Sequence, residues 1–428
     1  YYFREAITWP KITSGNFNIR YRESGSIHDT AGNEAFSRRH EDILYALALC
    51  GTKVADLILS ILNPTINVQV GDFSNIPVLF SKDQEEFSTG IVQKLINTSK
   101  EDWDAFEISW DFKNLPMLSH IAEHNRNWTV EEAFNTWSNE AESRFENLKS
   151  NEEELNRIFI DLYGLQDELT LEVADKDVSI RRADKARDIK AFLSYFVGVV
   201  FGRYSLDNPG LAFAGGTWDS GKYTNFHPNE DDVILLTDED YFGDNRDIIG
   251  RLKEFLATTF GADHLSQNLA FIANALGKKG DSAEKQIRSY FINDFYKQDH
   301  LSIYQKKPIY WQLDSGKRAG FRALFYLHRY DENTMAMIRT KYLHPLQAAY
   351  QSRRGQLQNM VKTEVTLKSK NQLVKRIEQL TQQLEELAKY DVILQHVANQ
   401  HIALDLDDGV LVNHEKVQGG EKILTPIK

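Results

Sequence analysis

A single cysteine, Cys50, serves all 428 residues. That excludes internal disulfides and thiolate zinc clusters and fits a reducing cytoplasm. The thiol sits in the apolar run DILYALALCGTKVADLILSIL, a setting that leaves it inert. No apolar run approaches the ~20 residues of a membrane span, so no membrane partner is expected. The opening YYFREAITWPKITSG has neither signal-peptide nor transit-peptide character. It starts at Tyr1 rather than Met, and we expect a piece of a longer or processed protein. The sequence also lacks GxSxG, HExxH and a glycine-rich dinucleotide loop.

What is present is globular in character. An apolar share of 42% with 11% aromatics can fill substantial cores, and the length suggests two to four domains. Residues 1–80 read as mixed α/β. Within them NFNIRYRESGSIHDTAGNEAF suggests a hairpin, Asn63-Pro64 ends a helical stretch, and TINVQVGD suggests a short strand. Residues 81–165 read as acidic amphipathic helices. Residues 166–332 open with a strand-like lead, then a helix over about 183–204, a loop-rich stretch over 214–240, and further helices over 247–299. Residues 333–428 are helical. Leu373, Ile377, Leu380, Leu384 and Leu387 follow the 4-3-4-3 spacing of a coiled-coil seam, short enough to suggest a helical hairpin packed on itself. The tail LDLDDGVLVNHEKV suggests a turn and strand that docks back. The fold class expected is therefore α+β, largely helical, with a C-terminal helical hairpin or coiled coil.

The net charge of −12 argues against a uniformly basic nucleic-acid binder. Yet residues 301–370 hold thirteen Lys and Arg against four Asp and Glu, a balance of +9 that leaves −21 elsewhere. A basic zone on an acidic body can orient a polyanion. Its densest part is Lys306–Tyr330, KKPIYWQLDSGKRAGFRALFYLHRY. Cations (Lys306, Lys307, Lys317, Arg318, Arg322, Arg329) alternate there with aromatics around a Ser315-Gly316 turn. Cations hold phosphates, and flat side chains can stack on bases. The plainer reading is a buried hairpin with solvated lysines.

Other motifs are weaker. Gly216–Lys222, GTWDSGK, has phosphate-loop spacing, but Tyr223 replaces the magnesium-binding hydroxyl and no helix opening follows. His120/His124 and His396/His401 are read as ordinary surface or core histidines. LDLDDG at 404–409 lacks the length and terminal Glu of an EF-hand.

Several stretches resemble a known family when taken in order. They are Asn63-Pro64-Thr65-Ile66-Asn67, Val70-Gly71-Asp72 through Ile76-Pro77-Val78, DWDAFEISWDF at 102–112, GRYSLDNPGLAFAGG at 202–216, the Lys306–Tyr330 block and the tail. Together they resemble the post-catalytic region of adenine-specific DNA methyltransferases of BREX phage-defence systems and of related single-chain restriction-modification enzymes. The resemblance implies a parent enzyme that uses S-adenosylmethionine to methylate adenine N6 in host DNA. It implies a target-recognition type of region here, with the catalytic domain N-terminal to Tyr1. The family's Asn-Pro-Pro-Tyr signature is not matched: Asn63-Pro64-Thr65 and Asn208-Pro209-Gly210 lack the second proline and the aromatic. The chain itself is thus expected to carry no catalytic, cofactor or metal residues and to bind double-stranded DNA. Secondary DNA-binding candidates are Arg20, Arg22, Arg38, Arg39, Arg181 and Arg182. The alternative is a protein-interaction module that docks other BREX proteins or is bound by a phage DNA-mimic inhibitor.

Overall fold

The computed structural model describes residues 1–12, 17–29, 31–121 and 127–427. His124 of the first histidine pair lies outside them. The chain divides into two compact units, residues 1–104 with 138–183 and residues 105–137 with 184–428. Both are mixed α and β, mostly helical, and each holds a three-stranded antiparallel sheet.

In the first unit β1 (Ala6–Pro10) is central, paired on one side with β2 (Arg20–Arg22) and on the other with β3 (Gly32–Ala35). The hairpin suggested by sequence between the last two does not form. β1 carries the buried Ala6, Ile7 and Trp9, so it takes the middle and the two polar strands flank it. Helices α1 (His40–Cys50) and α2 (Lys53–Leu62) bury Ile43, Leu44, Leu49, Val54 and Leu59. Burial pushes the Cys50 thiol up to about 12. Among the described residues the stretch TINVQVGD contributes one bridge, Asn67 to Ile12, and then coils into α3 (Val70–Ser74). The Asp72 carboxylate accepts the Gln69 N–H at 2.8 Å, a local cap that competes with strand pairing. Next come α4 (Lys82–Asp104) and α5 (Val130–Tyr163), the latter belonging to this unit from residue 138. The strand-like lead after α5 forms no ladder. Its backbone is satisfied by α5 side chains instead, with Asn156 donating to Leu171 O at 3.0 Å and Glu153 accepting from Val173 N at 3.0 Å.

The second unit is built on α6 (Lys185–Val200), whose N-cap Asp184 accepts the Arg187 N–H at 2.7 Å. After β4 (Val233–Leu235) come α7 (Ile248–Phe260), α8 (Leu265–Leu276) and α9 (Ala283–Tyr290). A π-helical stretch, Phe291–His300, leads into the short α10 (Leu301–Ile303). Strands β5 (Tyr310–Asp314) and β6 (Arg322–Tyr326) complete a sheet of order β4-β6-β5, with Trp311 opposite Phe325. One face packs Trp311, Leu313, Ala323 and Phe325 into a core shared with α11 (Thr334–Ile338), α12 (His344–Thr363) and α13 (Leu367–Ala398). On the other face the Tyr310 ring lies against Phe201 and His300.

Helices α12 and α13 form the expected hairpin, joined by residues 364–366. Leu380 and Leu387 are fully buried, and Leu373, Ile377 and Leu384 pack against the same core. The leucine seam is therefore used inside the unit. The tail docks back through residues 423–425, with Asp314 N donating to Ile423 O at 3.1 Å and Thr425 N to Gln312 O at 2.8 Å. Where a turn and strand were expected in LDLDDGVLVNHEKV, the chain forms helix α14 (Val410–Lys416), which buries Asn413 and His414 on one side. No single described helix is long and apolar enough to cross a membrane.

Candidate nucleic-acid interface

The Lys306–Tyr330 block folds as the β5–β6 hairpin with its flanks. Its aromatics are core: Tyr310, Trp311, Phe321, Phe325 and Tyr326 have no exposed surface. Both faces of the sheet are covered, so alternate residues on either side are buried alike. These rings cannot stack on bases without unfolding the unit. The plainer reading holds for them.

The cations divide. Arg322 donates from Nε to Asp314 Oδ1 at 3.1 Å and from Nη1 to Ile292 O at 2.8 Å. Arg329 donates to Asn229 O and Glu230 O at 2.9 Å, and lies 4.3 Å over the Trp218 ring. It also stands 3.6 Å from buried Asp232, whose carboxyl burial drives well above the usual carboxylate range despite the arginine. Both guanidinium groups brace the fold. Lys306, Lys307, Lys317 and Arg318 are exposed. No described carboxylate forms an ion pair with any of these four side chains.

The four free cations form two pairs, one at each end of β5. Five strand residues separate them, roughly 17 Å at the usual rise. The Lys306 end is a tight turn: Lys306 N donates to Leu301 O at 2.7 Å and Lys307 N to Tyr304 O at 2.8 Å. Gln305 and Lys306 both adopt left-handed backbone, φ +50° and +62°, which is strained for non-glycine residues. At the far end, residues 315–320 wrap around the Glu386 carboxylate of α13. It accepts from Ser315 Oγ at 2.7 Å, Arg318 N at 2.9 Å and Gly320 N at 3.0 Å. Gly316 sits at φ +134°, and a Cβ on Gly320 would come within 2.8 Å of Gln383 O. The turn is locked by its backbone, which leaves the Lys317 and Arg318 side chains pointing outward.

The secondary arginines divide in the same way. Arg22 pairs with Glu34 at 2.8 Å, and Arg39 reaches Glu41, Asp42 and Glu85. Arg181 lies 3.8 Å from Asp102. Arg182 contacts Glu142, Glu146 and Asp175 and lies 3.7 Å over the Phe145 ring. Arg20, which bonds Ile19 O and Asn18, and Arg38 form no ion pair with a carboxylate among the described residues.

Sequence reasoning passed over a buried polar cluster beneath the hairpin. Arg203 donates from Nε to Tyr204 OH at 3.2 Å and from Nη1 to Tyr326 OH at 3.3 Å, and Ser194 Oγ donates to Glu107 at 2.5 Å. His300 Nε2 accepts from Tyr310 N at 3.2 Å, which fixes the neutral tautomer. Burial, helped by the Arg203 charge, pulls His300 down to about 3 and His328 down to about 4. Single histidines and arginines far apart in sequence gave no signal of this grouping.

Two other sequence features resolve as structure. In GTWDSGK, Asp219 accepts from Gly221 N at 3.0 Å, and Lys222 Nζ donates to Ala212 O at 2.8 Å. Neither Asn-Pro segment fits an adenine clamp. The Asn63 amide donates to Asp72 at 2.6 Å and to Asn67 O, and the Asn208 amide donates to Lys222 O at 3.0 Å. Among the described residues no three His, Cys, Asp or Glu side chains group to hold a metal.

No family model matches the chain. Two curated proteins do. An adenine-specific methyltransferase PglX of Lacticaseibacillus casei (strain Zhang) is 57% identical over 426 residues, covering 100% of this chain and 35% of that protein. The chain matches one part of the PglX family. An adenine-specific methyltransferase BrxX of Escherichia coli O9:H4 (strain HS) is 33% identical over 448 residues, covering 97% of this chain and 36% of that protein. The chain thus spans about a third of the length of these PglX-type relatives.

Proposed function

We propose that this chain is the DNA-recognition and C-terminal part of a BREX-type adenine-N6 DNA methyltransferase, and that it grips the duplex while another part of the protein performs the transfer. S-adenosylmethionine would serve the parent enzyme. The Asn-Pro segments here are tied up internally, so no chemical step is assigned to these residues. The observation that carries the reading is the Glu386-locked turn, which holds Lys317 and Arg318 outward and unpaired on an acidic chain. A rigid backbone presenting free cations loses little entropy when it takes phosphates. Lys306 and Lys307 supply a second contact at the other end of the strand. Reversing Lys317 and Arg318 to Glu is expected to weaken duplex binding at least about tenfold and to flatten its salt dependence by roughly one to two units of slope. Unchanged affinity in a fluorescence-anisotropy titration would remove the turn from the interface.

A further inference from the structure

The α12–α13 hairpin reaches past its own core. Leu357 is the last fully buried residue on α12, and Leu380 the first on α13. Leu373 is the first α13 side chain packed on that core, so the six residues 367–372 ahead of it extend the helix by roughly 9 Å. The end of this arm is apolar and basic together. Val365 is 96% exposed, Leu367 73% and Met360 48%. Around them stand Lys362, Lys368, Lys370 and Lys375, all exposed and none in an ion pair with a described carboxylate. From residue 353 to 376 there are seven Lys and Arg and one acid. That acid, Glu364, accepts the Thr366 N–H at 2.9 Å and closes the turn. Helix α13 opens with two lysines and no acid in its first turn, against the preference of its own dipole.

We propose that this tip is a wedge for duplex DNA, with Val365 and Leu367 pressed against a base step and Lys362, Lys368, Lys370 and Lys375 on the flanking phosphates. The proposal rests on the DNA-binding reading above and adds a site to it. Apolar side chains that enter a groove partly unstack a step and bend the helix, and lysines at the rim neutralise the backbone. A protein partner fits the tip less well, because lysine is depleted from protein interfaces. A lipid surface fits less well too, since three apolar side chains bury little area in a bilayer.

The test uses the full-length protein that carries this chain. Replacing all four lysines (K362Q, K368Q, K370Q, K375Q) is expected to weaken duplex binding about tenfold or more and to flatten the salt slope by about two to four. The double variant V365S/L367S is expected to keep the slope and to lose the 2-aminopurine fluorescence rise that reports unstacking. All these positions are exposed, and circular dichroism checks that helix content is kept. Duplex binding and fluorescence unchanged in both variants would overturn the wedge and leave the DNA-binding reading standing. Loss of binding to anionic lipid vesicles, with duplex binding intact, would overturn it in favour of a membrane. A parent protein that fails to bind duplex at low ionic strength would sink the underlying reading, and the wedge with it.

Discussion

At the scale of single residues, charge alone does not distinguish a free cation from a brace. Arg322 and Lys317 stand five positions apart in one basic block. The first is spent on Asp314 and Ile292 O, and the second is free in solvent. The difference is the partner, which only the fold supplies. Removing a bracing cation should therefore cost stability. Arg329→Met strips the Phe201 and Asn229 carbonyls of their donor and the Trp218 ring of its cation, and a loss of about 1–3 kcal/mol is expected in denaturant unfolding. Lys317→Met, at an exposed site, should change stability by no more than about 0.5 kcal/mol in the same measurement. Equal losses for the two would contradict this division.

Histidine gives a second residue-scale expectation. His300 is held neutral in the fold, its pKa depressed to about 3, whereas an unfolded chain titrates it near the ordinary 6.5. As pH falls through that ordinary value the unfolded state takes up a proton that the folded state refuses. Stability must then fall between about pH 6.5 and pH 3. His328, depressed to about 4, works in the same direction. His300→Asn, which offers Tyr310 N a replacement acceptor, should make unfolding less sensitive to acid over that window. A pH profile as steep as the parent's would show that the burial of His300 does not set it.

At the scale of elements, the turn between β5 and β6 depends on α13. Glu386→Gln replaces one accepting oxygen with a donor that faces an N–H. The turn should loosen, hydrogen exchange over residues 315–320 should rise, and stability should drop by about 1–2 kcal/mol. Unaltered exchange would show that the turn holds its shape without the carboxylate. The same scale shows what the sequence made legible. The helices over 81–165 and 247–299 and the terminal hairpin were visible, because 3.6-residue periodicity over long stretches is a strong signal. Strands were harder. TINVQVGD and LDLDDGVLVNHEKV have β-branched residues but join no ladder among the described residues, and local caps or one-sided burial coil them instead. The β2–β1–β3 order was hidden because β1 lies outside the stretch that resembled a hairpin. At the candidate site, residue types left a buried hairpin open beside a base-stacking surface, and the block folds as the β5–β6 hairpin. Alternation alone could not show that both sheet faces are covered and its rings therefore sealed.

At the scale of the whole molecule, a net charge of −12 coexists with a basic zone of +9 over residues 301–370. Such a body should bind a polyanion in one orientation and weakly, with affinity that collapses as salt rises. The relatives it matches are roughly three times its length, so the DNA grip proposed here would be one of several surfaces in the complete protein. The most direct test is a salt titration of duplex binding by this chain, followed by fluorescence anisotropy. The account predicts binding at low ionic strength, with log affinity falling against log salt at a slope of about −4 to −7. No binding at low ionic strength, or binding indifferent to salt, would contradict it.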